Sequence, residues 1–202
     1  IGLVSSAVAD HPKITDICNY AVEKGLEVSF SSLRADKLDD AFLKCLTHGK
    51  VKTATIAPEA GSQRMRDVIN KKLTHEDILC AAGKLVQSGI MNLRLYFMIG
   101  LPFETIRDVE AIVNLTTDIK AAFLEESRKK KKIGTITLSI NPFIPKPATP
   151  FQWSPMNTQK ELKQKAAVIR DGLKKTANVK INFESFRNAK IHALLSLGDK
   201  NM

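Results

Sequence analysis

The sequence predicts an α/β fold in which parallel strands form a partial (β/α) barrel. Apolar runs of strand length alternate with stretches of helical period, and this alternation is typical of parallel strands joined by right-handed helical crossovers. The strand-like runs are Ile1–Ser6, Glu27–Ser31, Lys52–Ala57, Asn92–Ile99, Gly134–Asn141 and Val179–Phe183. A complete barrel needs about 250 residues, so 202 residues with five or six strands predict a partial barrel or an open sheet.

The spacing of apolar residues predicts helices between these runs. In Lys13–Lys24 and in Lys37–His48, apolar side chains recur every three or four positions, as on one face of an amphipathic helix. Thr74 is followed by His-Glu-Asp, which indicates a helix N-terminus. Three glycines stand where helices are expected to end in a left-handed cap. They are Gly25, Gly49 and Gly89.

The composition predicts one globular unit. It is 44% hydrophobic and 26% charged, and no low-complexity linker or internal repeat divides the chain. We expect residues 1–156 to form the partial barrel and residues 157–202 to add two helices and a short strand to the same unit. No apolar run reaches the ~18–20 residues of a membrane-spanning helix, and no signal peptide opens the sequence, so no membrane partner is expected.

The first residues predict that the chain is a piece of a larger barrel. It begins with Ile rather than Met and opens directly on the apolar stretch Ile1–Val4, which has the character of a core strand. A strand without its natural neighbour has an open edge, which favours self-association with another chain. The appended helices from Asn157 are the candidates for covering that edge.

The cysteines and the charge limit the cellular setting. Cys18, Cys45 and Cys80 are widely spaced and odd in number, which argues against a disulfide framework and predicts a reducing, cytoplasmic location with the cysteines as small buried apolar residues.

Residues 1–127 carry 15 Lys and Arg against 17 Asp and Glu, whereas residues 128–202 carry 16 against 4. This basic C-terminal third predicts either a polyanionic partner such as RNA or a solvated lysine surface.

Small and polar residues follow the predicted strands at their carboxyl ends, where parallel α/β proteins bind ligands. Glu59 is the most informative of them, because a carboxylate between Pro58 and two small residues is expected to point into a cavity that the strand ends share. The other turns also have structural explanations, as tight turns, rigid proline connections or helix caps. The segments after the strands are Ser5 to Pro12, Ser31 to Arg34, Ala57 to Ser62, Gly100 to Thr105, and Asn141 to Pro147.

Three segments resemble the radical S-adenosylmethionine (radical SAM) superfamily. They are Thr55–Ser62 (TIAPEAGS), Leu95–Thr105 (LYFMIGLPFET) and Ser139–Pro147 (SINPFIPKP). In this order they are similar to the fourth, fifth and sixth strand regions of a group often called Fe–S oxidoreductases, many of which carry a cobalamin-binding-like domain upstream. The resemblance implies a radical SAM-like partial barrel whose first strand is missing.

The resemblance also implies the cofactors S-adenosylmethionine (SAM) and a 4Fe–4S cluster for the full-length protein. The family holds its cluster through three cysteines in a CxxxCxxC loop, a spacing that Cys18, Cys45 and Cys80 do not have. Iron–sulfur ligation needs converging thiolates, so no metal ligand is predicted in this chain. Reductive cleavage of SAM to a 5′-deoxyadenosyl radical is therefore expected of the full-length enzyme, and the fragment alone is expected to be inactive.

Carried over position by position, the resemblance implies four residues at the amino-acid end of SAM. Ser5 and Ser6 occupy the region that receives the methionine amino group. Glu59 matches a polar residue that contacts the ribose or the amino-acid part. Lys71 matches a basic position that in some members pairs with the methionine carboxylate, although it is equally explained as a charge that complements a helix dipole.

At the adenine end, the resemblance implies backbone contacts. Ile99 and Gly100, and the segment from Asn141 to Phe143, match places where backbone groups contact adenine. Arg34, after the second strand, faces either this ligand or the substrate.

Two other functions are compatible with such a barrel. An aldolase-like or lyase-like enzyme without a cluster lacks support, because no lysine stands at a strand centre as a Schiff-base candidate. A degenerate barrel without a cluster is the alternative, acting as a binding module, with RNA as a candidate partner of the basic third. The fold itself does not choose among thiomethylation, methylation, rearrangement and cyclisation.

Overall fold

The structure, a computed structural model, describes residues 1–4 and 8–198 and confirms an α/β fold with parallel strands. The strands are β1 (Gly2–Leu3), β2 (Ser29–Phe30), β3 (Thr53–Glu59), β4 (Asn92–Ile99), β5 (Thr135–Pro142) and β6 (Val179–Phe183). The helices are α1 (Ile14–Glu23), α2 (Asp40–His48), α3 (Gln63–Val68), α4 (His75–Gln87), α5 (Ile106–Lys129), α6 (Gln159–Leu173) and α7 (Phe186–Leu197). Two short 3₁₀ turns, Val8–Asp10 and Ala35–Lys37, complete the described elements.

The strands follow one another in chain order. β3, β4, β5 and β6 form a parallel four-stranded sheet, and β1 pairs in parallel with β2. A parallel bridge between Leu33 and Ile56 links the segment after β2 to β3. This succession is that of a partial (β/α) barrel, with β1 and β6 at the two ends of the strand order.

The first two strands are shorter than the sequence predicts. Within the described part of the expected strand Ile1–Ser6, residues Gly2–Leu3 form β1, and two residue pairs join it to β2. Ser5 and Ser6 lie outside the described residues. Pairing of the β1 edge with another chain stays a prediction.

Helices cover one face of the four-stranded sheet. The crossovers α4, α5 and α6 join neighbouring parallel strands in the same direction, and right-handed connections therefore place all three on one side. Along β4, the buried residues Leu93, Leu95 and Phe97 alternate with the more exposed Arg94 and Tyr96. The second face of this sheet carries mainly polar side chains, so the alternation separates a face packed under helices from an open face.

The helix ends follow local hydrogen-bonding rules. Thr74 caps α4 as predicted, with its hydroxyl accepting from the Asp77 N–H and its own N–H donating to the Asp77 carboxylate. Gly25 and Gly89 have positive φ as expected after α1 and α4. Gly49 does not, because the left-handed residue after α2 is Lys50, with φ 57°.

The C-terminal segment contributes to the same sheet and helical layer. β6 pairs with β5 over five residues, from Ile136 opposite Val179 to Ile140 opposite Phe183. α6 packs against α5 and against β4 and β6. None of the described helices combines the length and apolar character that crossing a bilayer requires.

Gly61 and Gly83 give a matched pair of predictions about packing. A Cβ on Gly61 would lie 2.2 Å from the Ile112 backbone nitrogen in α5, whereas a Cβ on Gly83 in α4 meets nothing within 4 Å. We expect Gly61→Ala to lower the free energy of unfolding by roughly 1–3 kcal/mol or more, and Gly83→Ala to raise it by about 0.5–1 kcal/mol. Chemical denaturation of both variants measures this, and equal effects would contradict the close approach of α5.

Candidate ligand site at the carboxyl ends of the strands

The polar residues that follow the strands gather at one edge of the sheet. Glu59 ends β3, Gly100 directly follows β4, Asn141 lies at the end of β5, and Arg34 follows β2. Because these strands are parallel, their carboxyl ends lie on the same side of the fold. The neighbouring loops form a candidate ligand site there.

A backbone irregularity positions the Glu59 side chain. The register between β3 and β4 shifts between Ile56 and Glu59, and Glu59 has φ 66°, in the left-handed region. A bulge of this kind redirects a side chain at the end of a strand. Positive φ is unfavourable for a residue with a Cβ, and such strain is concentrated at functional sites.

Glu59 is paired with Lys71. The Lys71 Nζ lies 3.4 Å from Glu59 Oε1, and the Glu59 side chain is 28% exposed. Burial raises the pKa of Glu59 above its ordinary value, although the Lys71 charge acts in the opposite direction. The two residues that the sequence assigns separately to the ligand therefore contact each other.

Arg66 holds the loop that joins these two residues. Its side chain is 1% exposed, and its guanidinium donates to the carbonyls of Ala60, Gly61 and Leu73 and to the side chain of Gln63, at 2.9–3.1 Å. Burial lowers the pKa of Arg66. Sequence reasoning missed this residue because arginine is usually exposed, and its acceptors are mostly backbone carbonyls that no sequence pattern reveals.

Arg34 lies in a pocket of about 300 Å³ that is also lined by Lys71. Its guanidinium contacts the Asp36 carboxylate at 2.6 Å and the Asp10 carboxylate at 3.0 Å. The hydrogen bond from Arg34 lowers the pKa of Asp36. Asp36 and Asp10 therefore compensate the charge of Arg34 and hold its side chain beside Lys71.

Gly100 adjoins a buried ion pair that sequence reasoning also missed. Its N–H donates to Glu104 Oε2 at 2.7 Å, and the same oxygen accepts from Lys165 Nζ of α6 at 2.7 Å. The Glu104 side chain is 2% exposed. Burial raises the pKa of Glu104, against the opposing effect of Lys165. This contact fixes the turn after β4 to α6.

The Gly100 turn also faces an unsatisfied acceptor. Asn157 Oδ1 is buried and has no hydrogen-bond partner among the described residues. Gly100 has φ 79°, and a Cβ there would come within 3.1 Å of this oxygen, so the position favours glycine. Asn157 lines a pocket of about 870 Å³ between the loop after β5 and α7, within the range of small-molecule sites. The only signal in the sequence was its position next to the helix cap Thr158.

The residues at the end of β5 have different environments. Asn141 is exposed and pairs in register with Met98 of β4. Phe143 is buried, its N–H donates to the Ile99 carbonyl at 2.8 Å, and its ring packs edge-on against Phe151. The Ile99–Phe143 hydrogen bond thus joins the ends of β4 and β5.

The three cysteines lie apart from the strand ends. Cys18 and Cys45 are buried between α1 and α2 as expected, and burial, reinforced by Cys45, raises the pKa of Cys18 to about 11. Cys80 is exposed on α4, so the expectation that it is buried is wrong. Within residues 1–4 and 8–198, no three His, Cys, Asp or Glu side chains are grouped to hold a metal ion. These cysteines do not fit a 4Fe–4S cluster, whose thiolates must converge.

Asp108 connects the loops after β3 and β4. Its carboxylate accepts from the Ser62 hydroxyl at 2.7 Å, from the Thr105 N–H and hydroxyl, and from the Arg64 guanidinium. Burial acts to raise the pKa of Asp108, but the hydrogen bonds from Arg64, Thr105 and Ser62 outweigh it and hold the pKa well below its usual range. The ionised form therefore stabilises the native state.

We expect Asp108→Asn to lower the free energy of unfolding by about 2–3 kcal/mol at pH 7, since it removes charge-assisted hydrogen bonds. Because the folded-state pKa is depressed, this contribution is present above the ordinary Asp value of about 3.9. It is lost as the pH falls through the folded-state pKa. Chemical denaturation of the unmodified protein and of Asp108→Asn at pH 7 and pH 3 measures the difference in free energy of unfolding. Asp171→Asn, which changes an exposed residue, is the control. A difference that stays constant with pH would contradict the ionised network.

Comparisons with known proteins agree with this architecture. The family model of the radical SAM superfamily matches residues 2–116. The protein named "Uncharacterized protein MJ0966" of Methanocaldococcus jannaschii is 36% identical over all 202 residues, and the chain spans 42% of its length. The crystal structure of SuiB from Streptococcus suis superposes with a TM-score of 0.56 at 10% identity, over 91% of this chain and 39% of that one. At that identity the likeness shows the fold alone. Because the family model matches more than half of the chain, the chain belongs to the radical SAM superfamily.

Proposed function

We propose that this chain is the SAM-binding part of an enzyme that cleaves SAM reductively to a 5′-deoxyadenosyl radical. Membership of the superfamily supports SAM and a 4Fe–4S cluster as its cofactors. The observation that carries the proposal is the Glu59–Lys71 pair, which places a carboxylate and an ammonium 3.4 Å apart at the carboxyl edge of the sheet.

The two charges match the amino-acid end of SAM. That end is a zwitterion, with an α-carboxylate and an α-ammonium group. Lys71 is suited to the carboxylate, and Glu59 to the ammonium group or to the ribose hydroxyls. Binding exchanges the internal ion pair for two pairs with the ligand, so neither protein charge is left without a partner. The buried Arg66 keeps the loop between them in place.

The adenine end is supported by Gly100 and Asn157. The buried Asn157 oxygen lacks a donor among the described residues, and an adenine amino group is such a donor. The absence of a side chain at Gly100 lets the turn after β4 lie close to this oxygen. These residues bind and orient SAM.

The iron–sulfur cluster supplies one electron to SAM when it is bound. Cys18, Cys45 and Cys80 do not converge, so we propose that other cysteines of the whole protein hold it. The chain spans 42% of the length of its curated relative. Its own part in the reaction is to bind SAM.

We expect Glu59→Gln and Lys71→Met each to weaken SAM binding by roughly 1–3 kcal/mol, because each removes one charge-assisted contact. Isothermal calorimetry measures the affinity. Glu110→Gln and Lys160→Met, which change exposed residues of α5 and α6, serve as matched controls. The double variant should lose less than the sum of the single losses, since each single change leaves the partner charge uncompensated. Unchanged affinity in both single variants would contradict this location of the site.

We also expect the triple variant Cys18→Ala, Cys45→Ala, Cys80→Ala to keep the iron and sulfide content of the whole protein. The reason is that two of these thiols are buried between helices and the third lies on an outer helix. Anaerobic reconstitution followed by metal analysis measures the content. Loss of a stoichiometric cluster in this variant would show that the three cysteines are its ligands.

A degenerate barrel without a cluster, acting as an RNA-binding module, is the alternative function. The basic run Arg128–Lys132 supports it, because it is exposed at the end of α5, together with Lys174 and Lys175 after α6. These residues lie at the edge of the sheet opposite to the candidate ligand site. RNA binding that weakens steeply with salt, in a whole protein that does not bind SAM, would favour this alternative.

A further inference from the structure

The sheet face opposite α4, α5 and α6 carries ordered rows of polar side chains. Residues paired in register across parallel strands point to the same face. The register places Thr55, Arg94, Thr137 and Lys180 in one row across β3, β4, β5 and β6. The next row towards the carboxyl ends contains the uncharged Tyr96, Ser139 and Asn182.

The first row holds two cations and no acidic residue. Arg94 and Lys180 are exposed, and neither forms an ion pair or a hydrogen bond with another described residue. Their strands flank β5, so their backbones are about 10 Å apart, with the Thr137 hydroxyl between them. The row therefore keeps two uncompensated charges directed at one region.

The row is separate from the cofactor site proposed above. Ile99 follows Arg94 by five positions along β4, a distance of about 17 Å. The Glu59–Lys71 pair is at the carboxyl edge. An anion held by Arg94 and Lys180 is thus not the carboxylate of SAM bound at that edge.

We propose that Arg94, Lys180 and the Thr137 hydroxyl bind an anionic group, a phosphate or a carboxylate, of the enzyme's substrate. The inference rests on the proposed function, because that function defines the substrate. Arg94 offers a planar fork of N–H donors and Lys180 a point charge, and both suit oxyanions. The uncharged row above, with Tyr96, Ser139 and Asn182, suits a polar part of the same molecule that extends towards the carboxyl edge.

The test is calorimetric titration of the purified protein with inorganic phosphate and, separately, with acetate, at constant ionic strength set by sodium chloride. We expect saturable binding of at least one anion, and the stronger of the two identifies the group. Arg94→Met and Lys180→Met should each weaken that binding at least fivefold, while Arg94→Lys retains part of it. The controls Arg107→Met and Lys160→Met change exposed cations on the outer helices and should leave it unchanged.

Binding that is lost equally in the controls, or no saturable binding of either anion, would overturn the inference. Thermal melting of each variant shows whether it is folded. If Arg94→Met does not fold, Arg94→Lys still tests the inference. SAM titration of the same variants separates this inference from the proposed function. SAM affinity should be unchanged in Arg94→Met and Lys180→Met. Phosphate binding that depends on the row, in a protein that does not bind SAM, would support the anion site and contradict the proposed function.

Discussion

The buried guanidinium of Arg66 is the interaction on which the candidate site depends. A buried cation is unfavourable unless its hydrogen-bonding groups are satisfied, and Arg66 meets this condition with three backbone carbonyls and one side-chain amide. Those acceptors lie at both ends of the loop after β3, so one side chain fixes where that loop starts and where it returns. Glu59 and Lys71 flank the loop, and their separation follows from it. Removing the guanidinium would leave several buried carbonyls without donors, at a cost of about 1–3 kcal/mol each.

Two further polar networks extend this control to the neighbouring loops. Asp108 joins the loop after β3 to the start of α5, and the Glu104–Lys165 pair joins the turn after β4 to α6. Both carboxylates are almost fully buried, yet their pKa values move in opposite directions. Asp108 receives enough hydrogen bonds to favour its charged form, whereas burial dominates at Glu104. The strand ends are therefore positioned by contacts outside the ligand-binding groups themselves, which is how a preorganised site is supported.

The parts of this arrangement that the sequence predicted are those with a local signal. The alternation of strands and helices, the N-cap at Thr74 and the polar residues at strand ends can all be read from neighbouring residues. The Asp108 and Glu104 contacts join residues 46 and 61 positions apart, and no local pattern shows such pairs. The same limit applies to Asn157, whose importance comes only from its closeness to Gly100. The open face of the sheet does have a local signal, because apolar and polar residues alternate along β4.

The carboxyl edge and the open face give one sheet two chemically distinct regions. Side chains alternate along a strand, so the residues that build the core leave the other half of each strand free to vary. At the carboxyl edge, paired opposite charges suit a zwitterion, because a net-neutral pair binds it without an uncompensated charge. Nearer the amino ends of the strands, on the open face, Arg94 and Lys180 repel each other unless an anion lies between them. The fold alone selects neither ligand. The sign and spacing of the charged side chains distinguish the two regions. Members of one superfamily that share the same barrel can differ in substrate through such side chains.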